Sequence, residues 1–315
     1  MNQRFWDLFS NDYRGNCLAW NHAPGNPVIP AGTRDWKSRW TANPDVIDVK
    51  GRRLLYYRGN GTLRNSETEL HDRLGVAEIL DVGTEHLSID YLNDDEPIVD
   101  VGLRGDFDGL EVLDPSTIVF TDRVFLYYSA IGAGPDAIGL AVSDDGISFE
   151  KVGKILDGRA PEAVEKDGQV HLLYQVQRGN GYEFHVATSV DGRHFNTTAD
   201  SVFSGEAGSW DGQSVVTPAI SRDGDTYYMF YAGSSYSLDE PDHFGLARST
   251  DLRSWERHPG NPIFGCGPAG SEDGGAIWFP TVMDEDDFFV ILYEGSRGRY
   301  SWDLSSQICM ASIHK

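Results

Sequence analysis

The sequence predicts an all-β protein, a five-bladed β-propeller with four antiparallel strands in each blade. Two observations lead to this fold. A proline is followed thirteen residues later by a tyrosine five times, and a small-residue strand pattern follows each tyrosine. Units that repeat at this length and alternate strand and turn signals are typical of propeller blades. The five pairs are Pro44/Tyr57, Pro115/Tyr128, Pro161/Tyr174, Pro218/Tyr231 and Pro280/Tyr293.

Each repeat has the same order of elements, and the second copy shows it clearly. A proline-led apolar run at 117–119 meets a polar break, and an aromatic run at 125–128 ends in the repeat tyrosine. The small-residue run at 138–141 then reaches an Asp-Gly pair at 145–146. Asp-Gly between apolar runs favours a tight turn, because glycine adopts positive φ without steric cost. No amphipathic helix pattern longer than two turns accompanies these strands.

The domain organisation follows from the repeats. We expect one domain over residues 1–315, with residues 1–22 wrapping the surface and 23–315 forming the propeller. The segment Pro-Gly-Asn-Pro at 24–27 reappears at 259–262, where it follows a strand pattern. We therefore expect the early copy to belong to an N-terminal strand that completes the last blade, which closes the ring and removes free strand edges.

Composition excludes several classes of protein. The formal net charge of −23 argues against a nucleic-acid or anionic-membrane partner, which needs a basic face. A solvated surface, a cationic partner or a carboxylate-rich cleft would each explain the charge. The three cysteines lack the spacing of a disulfide framework or zinc site, and no run reaches membrane-spanning length. Without an apolar signal core we expect a cytoplasmic location, or a secreted or periplasmic one if a signal peptide has been removed. The oligomeric state is left open.

The innermost strand of each blade should line the central channel, and the proline-led run is the candidate. Since side chains alternate along a strand, the residues before and after each proline are expected to share a face. Three successive blades then place a carboxylate at one channel mouth: Asp45, Asp114 and Glu162. The alternative is that Asp beside Pro only caps a turn. Converging carboxylates raise one another's pKa, and one protonated and one ionised carboxyl are what glycoside hydrolysis requires.

With these motifs the chain resembles the five-bladed propeller glycosidases, glycoside hydrolase family 43 and its relatives, families 32, 68, 117 and 130. The resemblance rests on the five repeats, on Leu-Asp-Pro-Ser at 113–116 followed by Phe-Leu-Tyr-Tyr at 125–128, and on Ala-Pro-Glu at 160–162. The stretch 106–111 before Asp114 is similar to family 130, which contains phosphorylases. Ser116 stands where that family normally has arginine.

The resemblance to family 43 implies three catalytic roles. Asp45 would be the general base (or the nucleophile of a retaining enzyme), Asp114 would orient and tune the acid, and Glu162 would be the general acid. Two positions depart from the family pattern. Asn43 stands where family 43 has an aspartate before proline, and Glu162 follows Pro161 instead of preceding a Gly-Pro pair.

Further residues are candidates for binding the sugar. Tryptophans on channel-entry loops can stack on sugar C–H faces, or can simply pack between blades. Charged groups that follow the repeat tyrosines can bind hydroxyls or a carboxylate, or can form surface ion pairs. The predicted substrate-binding residues are Asn43, Arg58, Trp210, Asp211, Trp278, Glu294 and Arg297.

The function expected from these residues is hydrolysis of a terminal sugar, a furanoside or pyranoside, from an oligo- or polysaccharide. Alternatives are a phosphorylase or transglycosylase on the same scaffold, or a non-catalytic carbohydrate-binding propeller. No cofactor is expected to be required and no metal site is predicted. A structural calcium occurs in some relatives, but the sequence does not specify one.

Overall fold

Five antiparallel sheets surround a central channel in the computed structural model, which describes residues 1–32, 35–62, 69–92, 95–299 and 306–315. The predicted five-bladed propeller is confirmed. Blade 1 contains β2 Trp40–Val49, β3 Arg52–Gly61, β4 His71–Val82 and β5 Leu87–Leu92, and blade 2 contains β6 Glu111–Phe120, β7 Arg123–Ile131, β8 Ala137–Ser143 and β9 Glu150–Asp157.

Blades 3 and 4 each carry an extra short strand beside the third strand. Blade 3 contains β10 Arg159–Lys166, β11 Gln169–Arg178, β12 Gly181–Ser189, β13 Asn196–Thr197 and β14 Phe203–Ser204. Blade 4 contains β15 Ser214–Asp223, β16 Thr226–Ser234, β17 His243–Ser249, β18 Glu256–Arg257 and β19 Phe264–Gly265. The five proline-led strands contact one another in a closed ring, so they form the wall of the channel.

An N-terminal strand closes the ring, as the sequence predicts, but it lies at residues 21–22, within the segment expected to wrap the surface. Blade 5 contains β20 Ala276–Asp284, β21 Phe288–Ser296 and β22 Gln307–His314, and its outermost strand is β1 Asn21–His22, which pairs with β22. The two Pro-Gly-Asn-Pro segments are alike, because each contains a cis Asn–Pro peptide at 26–27 and 261–262. Because the first strand of the chain pairs with the last strand in one sheet, the ring has no open edge.

The helical segments of the described chain are short: α1 Gln3–Asp7, α2 Tyr13–Leu18 and a 3-10 turn at Asp35–Lys37. The Asn2 side chain accepts a hydrogen bond from the Phe5 N–H and caps α1. The Phe5 ring then packs against Phe230 and Phe289, which joins the N-terminal segment to blades 4 and 5. No helix in the described ranges is long and apolar enough to cross a membrane.

The outer Asp-Gly turns tie neighbouring blades together. In blade 2, the Asp145 carboxylate accepts hydrogen bonds from the N–H groups of Ile147 and Ser148, which closes the turn. Gly146 has a positive φ of 77°, and its carbonyl accepts a hydrogen bond from the hydroxyl of Tyr56 in blade 1. A Cβ at Gly146 would lie 2.8 Å from Leu54, so the turn requires glycine for packing as well as for conformation.

A β-bulge interrupts each innermost strand at its proline. The residue before the proline has a positive φ in every blade, between 45° and 53°, and the pairing register shifts there. At a bulge, two residues of one strand lie opposite a single residue of the partner strand, and the side chains on either side of the bulge point in different directions. The expectation that the residues before and after each proline share a face is therefore wrong. The residues before the proline are Asn43, Asp114, Ala160, Thr217 and Phe279.

Candidate functional site

The proline collar, the ring of Pro44, Pro115, Pro161, Pro218 and Pro280, divides the channel into two compartments. Side chains before the prolines line a small cleft of about 60 Å³, the front cleft. Side chains after the prolines line a larger cavity of about 390 Å³, the rear chamber, together with the prolines themselves and Phe279, which borders both compartments. The front cleft is lined by Arg58, Asp114, Arg159, Ala160, Gln175, Thr217, Asp239, Trp278, Phe279 and Glu294.

Most of the residues that line the front cleft occupy corresponding positions in the five repeats. One set is the residue that follows each repeat tyrosine, here Arg58, Gln175 and Glu294. A second set lies one or two residues before each repeat proline, and includes Asp114, Arg159 and Trp278. Asp239 has no counterpart in the repeats, because it lies in the connection between β16 and β17. Of this set, Arg159, Gln175 and Asp239 were not predicted from the sequence.

Hydrogen bonds between neighbouring blades fix the bulges on one side of the front cleft. The Ala160 N–H donates to Ser129 Oγ at 2.7 Å, and the Thr217 N–H donates to Gln175 Oε1 at 2.6 Å. The Phe279 N–H donates to Thr217 Oγ1 at 3.2 Å. Ser129 and Gln175 follow repeat tyrosines, the position of Arg58 in blade 1. Since a guanidinium cannot accept a hydrogen bond, the pattern cannot continue through Arg58, which lines the front cleft beside Asp114.

Asp114 is the central acidic group of the front cleft. It is 1% exposed, and neither carboxylate oxygen has a hydrogen-bond partner among the described residues. Burial raises the pKa of Asp114 above its ordinary value, although the nearby charges of Arg159 and Arg58 and the Ser129 hydroxyl, which approaches the carboxyl outside ordinary hydrogen-bond geometry, act in the opposite direction. Asp72, Glu111, Asp239 and Glu294 also interact with it electrostatically. A buried polar group without a partner is unfavourable, so this arrangement fits a carboxyl that a ligand completes.

Arg58 lies between two buried carboxylates on the blade 1 side of the cleft. Its Nη2 is 3.4 Å from Glu294 Oε1 and its Nη1 is 3.8 Å from Asp72 Oδ2, while Nε has no partner among the described residues. Asn43 Nδ2 donates to Glu294 Oε2 at 3.3 Å, and Asn60 Nδ2 donates to Asp72 Oδ1 at 2.8 Å. The Oδ1 atoms of Asn43 and Asn60 have no partner in the described chain. Donors and acceptors are thus both available beside Asp114.

The opposite wall of the front cleft contains a second arginine. Arg159 Nη1 lies 3.8 Å from Asp239 Oδ2, and the Trp278 indole N–H donates to the Asp239 carbonyl at 3.1 Å. Burial raises the pKa of Asp239, and Arg159 lowers it. Burial likewise raises the pKa of Glu294, and Arg58 lowers it. The cleft therefore combines two guanidinium groups with carboxyls whose charged forms are disfavoured.

Asp45 and Glu162 do not join Asp114, contrary to the expectation of one carboxylate group. Both line the rear chamber, on the far side of the proline collar. Burial raises the pKa of Asp45 to about 7, and burial followed by the charge of Asp45 raises that of Glu162. The separation arises because the bulge turns the residue after each proline away from the residue before it. Asn43, Arg58, Trp278 and Glu294 lie at the front cleft or contact its lining residues.

Trp210 and Asp211 lie away from both compartments, which corrects their expected position at the channel entry. The Asp211 carboxylate is fully buried, and it accepts hydrogen bonds from the Tyr231 hydroxyl at 3.3 Å and from the Glu206 N–H at 3.2 Å. The Trp210 ring packs on Tyr231 at 5.5 Å, and a Cβ at Gly233 would lie 2.6 Å from it. The pair therefore anchors the loop before β15 inside blade 4.

The same aspartate–tyrosine contact occurs in two other blades. Tyr128 donates to Asp108 at 3.2 Å and Tyr293 donates to Asp273 at 2.6 Å, and each aspartate precedes its tyrosine by twenty residues, as Asp211 precedes Tyr231. This spacing is readable in the sequence and would have identified Asp211 as structural.

Arg297, which the sequence predicts to bind the substrate, lies outside the lining of the front cleft. Its side chain is 61% exposed and forms two hydrogen bonds with Glu272, one of them from Nε to Oε2 at 2.8 Å. An exposed ion pair of this kind satisfies its own charges and does not reach the cleft lining. Among the described residues, no group of three His, Cys, Asp or Glu side chains could hold a metal ion.

Two proteins of known sequence are related to nearly the whole chain. No protein-family model matches the chain. Two uncharacterized proteins of Mycobacterium tuberculosis, from strains CDC 1551 / Oshkosh and ATCC 25618 / H37Rv, are 26% identical over 305 residues, which covers 88% of this chain and 95% of each of theirs. A sequence relationship at this level extends over nearly the whole propeller.

Several solved structures have a similar fold over nearly the whole chain. The β-1,2-mannobiose phosphorylase of Listeria innocua, in complex with β-1,2-mannobiose, superposes with a TM-score of 0.73 at 14% identity, covering 94% of this chain and 96% of that one. A putative glycosidase of Bacteroides thetaiotaomicron VPI-5482 gives 0.69 at 16% identity, over 93% and 96%. A structure from work on the GH130 family, described as mannoside phosphorylases and glycoside hydrolases that target β-1,2 mannosidic linkages in Candida mannan, gives 0.67 at 17% identity, over 93% of both chains.

These neighbours are five-bladed glycoside hydrolases and phosphorylases, and family 130 is named among them. The resemblance to the propeller glycosidases is thus confirmed for the fold, while family 43 is not singled out.

Proposed function

We propose that this protein cleaves a glycosidic bond in the front cleft, with Asp114 as the general acid. The observation that carries the proposal is the Asp114 carboxyl, which is buried, has no hydrogen-bond partner among the described residues and lines an open cleft. Burial raises the pKa of Asp114, which favours the protonated form that donates a proton to the leaving glycosidic oxygen.

The unpaired atoms around Asp114 suit a hydroxyl-rich ligand. Arg58 lines the cleft, and its Nε, which has no partner among the described residues, can donate a hydrogen bond to a sugar hydroxyl. Trp278 adds an aromatic wall of the kind that packs on sugar C–H faces. Because the proline collar separates the cleft from the rear chamber, the substrate enters from one side, which favours removal of a terminal sugar.

Hydrolysis needs a second carboxylate that activates water. Glu294 and Asp239 are the candidates, since both line the cleft and each faces an arginine whose charge lowers the carboxyl pKa against the raising effect of burial. In this assignment Asp114 is the acid and not the orienting residue. Asp45 and Glu162, on the other side of the collar, take no direct part in the reaction.

Phosphorolysis is the second candidate, and the pair of arginines favours it. Arg58 and Arg159 both act on Asp114 electrostatically, from blades 1 and 3, and their ion pairs are long, at 3.4–3.8 Å. Guanidinium groups with incomplete partners can bind a phosphate dianion beside the bond being broken. The likeness to a mannobiose phosphorylase makes β-1,2-mannobiose the first substrate to test.

The experiment is turnover of a panel of disaccharides, beginning with β-1,2-mannobiose, with and without inorganic phosphate. Free sugar in both conditions indicates hydrolysis, and a sugar 1-phosphate formed only with phosphate indicates phosphorolysis. Asp114→Asn should lower kcat by about 10²–10⁴-fold, the usual contribution of a general acid. The control is Asp122→Asn, which alters an exposed turn of the same blade. Sugar binding by both parent and Asp114→Asn, with no turnover by the parent on any glycoside, would instead indicate a binding protein.

A further inference from the structure

Asp45 and Glu162 have hydrogen-bond partners on the strand that carries Asp114. Asp45 Oδ2, from blade 1, accepts hydrogen bonds from the Thr117 N–H at 2.9 Å and the Thr117 hydroxyl at 2.6 Å. Glu162 Oε2, from blade 3, accepts one from the Ser116 hydroxyl at 3.1 Å. Ser116 and Thr117 lie two and three residues after Asp114 on β6. Strand β6 is therefore held by a carboxylate from each neighbouring blade.

These contacts belong to a pattern on the rear side of the collar, which we call the rear clasps. In each clasp the side chain that follows one repeat proline accepts a hydrogen bond from a backbone N–H of the next blade. The donor–acceptor pairs are the Thr117 N–H to Asp45 at 2.9 Å, the Ala163 N–H to Ser116 at 2.9 Å and the Ile220 N–H to Glu162 at 2.6 Å. Ala219 and Thr281 occupy the same position in blades 4 and 5. The clasps therefore join blade 1 to blade 2, blade 2 to blade 3 and blade 3 to blade 4, and β6 takes part in the first two.

We propose that Asp45 and Glu162 are positioning residues, which hold β6 from both sides and so fix the bulge that aims Asp114 into the front cleft. The inference rests on the proposed role of Asp114 as the acid. The carboxyl of Asp114 lies on a residue with a φ of 53°, in the left-handed region, and has no partner among the described residues to hold it. A side chain in this position keeps its direction only if the strand beneath it is fixed.

Conservative substitutions distinguish a positioning role from a direct catalytic role. An amide oxygen can accept the same hydrogen bonds as a carboxylate oxygen, so Asp45→Asn retains the clasp on Thr117 while removing any acid–base function. Asp45→Ala removes both. A positioning residue therefore predicts rescue by asparagine, whereas a general base predicts that asparagine and alanine are equally inactive. Glu162→Gln and Glu162→Ala form the corresponding pair for the general-acid role.

The test follows the Asp114 carboxyl itself by NMR in protein labelled with ¹³C at the aspartate carboxyls. The Asp114 resonance is the one that disappears in Asp114→Asn, and its chemical shift against pH gives the pKa. Loosening β6 should admit water to the carboxyl, so Asp45→Ala should lower the pKa of Asp114 by about one unit, a tenfold change in proton affinity. Asp45→Asn should remain near the parent. Thr117→Val, which removes only the hydroxyl donor, should give a smaller fall and serves if Asp45→Ala does not fold.

Thr281→Ala is the matched control. Thr281 follows the proline of blade 5 and lines the same rear chamber, but no hydrogen bond joins it to β6 in the described chain. An Asp114 pKa that is unchanged in both Asp45→Ala and Thr117→Val would overturn the proposal. Equal loss of kcat in Asp45→Asn and Asp45→Ala would also overturn it and return Asp45 to a catalytic role. If Asp114→Asn is fully active, the proposed function fails, yet the NMR comparison still decides whether the clasps position Asp114.

Discussion

The front cleft and the rear chamber are built from the same five strands and differ by one or two residues along each. Both contain carboxyls whose pKa is raised by burial. The difference lies in their hydrogen bonds. Asp45 and Glu162 use theirs to join blades, while Asp114 has none among the described residues. Charge and location in a channel therefore do not separate Asp114 from Asp45 and Glu162, whereas an unmet hydrogen-bonding requirement does.

The comparison also explains why carboxylates occur after the proline in only two blades. In a repeat protein, a residue that maintains the fold is ordinarily found in every repeat. The rear clasps recur with different residue types, because Asp45, Ser116 and Glu162 all supply an acceptor oxygen to the next blade. The unequal distribution of acidic residues therefore has a structural cause at this position, and it does not by itself indicate catalysis.

Arg58→Gln is expected to have the largest effect, and it tests the difference between the front cleft and the rear chamber. The substitution removes the cation that faces Glu294 and Asp72, two buried carboxylates. Leaving buried charges unpaired should lower the free energy of unfolding by about 3 kcal/mol. Loss of a donor at the reacting group should also lower kcat by about 10²-fold. Thermal unfolding and kinetics on the same preparation measure both quantities.

A variant that loses stability but keeps full activity would place Arg58 with the structural groups of the rear chamber. Arg58→Lys, which keeps the charge and loses the planar fork, should recover more of the stability than of the activity.

Much of the fold was predictable from the sequence because a propeller repeats its constraints. Each blade must present a strand, a turn and a buried tyrosine at the same spacing, so five weak signals reinforce one another. Ring closure was predictable for a similar reason, since one short segment occurs at both ends of the chain. Loops carry no such repetition. Asp239, which comes from a connection between strands, therefore has no sequence signal that places it in the cleft.

The site was only partly predictable, and the bulge is the reason. Asn43, Arg58, Asp114, Trp278 and Glu294 were assigned to the region where the structure has them. A bulge changes the direction of the residues around it without a distinct residue type, because Asn, Asp, Ala, Thr and Phe all occupy the position before proline. Simple alternation therefore placed Asp45 and Glu162 on the wrong side. Arg159 and Gln175 could have been found from their positions, two residues before a repeat proline and one after a repeat tyrosine.

A smaller effect is expected on the pH dependence of stability, and it arises from Asp45 in the rear chamber. The pKa of Asp45 is raised by burial from 3.8 to about 7, so between these values the folded protein holds a proton that the unfolded chain releases. The contribution of this group is therefore fully present below pH 3.8 and is lost as the pH rises through about 7.

Asp45→Asn removes this titration without removing the acceptor oxygen. The Tm of the variant should rise steadily relative to that of the parent as the pH increases from about 4 to 7, and the difference should level off above pH 7. Differential scanning calorimetry of both proteins across this range measures the difference. A difference in Tm that stays constant with pH would show that Asp45 titrates alike in the folded and unfolded states.

The smallest effect is expected for Arg297→Gln, which tests the boundary of the front cleft. Arg58 and Arg297 each follow a repeat tyrosine closely, by one and four residues, and sequence position alone makes both candidates for the substrate. In the structure Arg297 is exposed and paired with Glu272, and exposed ion pairs contribute about 0–1 kcal/mol to stability. We therefore expect kcat and KM within twofold of the parent and a Tm change at the limit of measurement. A large rise in KM with an unchanged kcat would show that the substrate extends beyond the cleft to contact Arg297, and would enlarge the binding site toward blade 5.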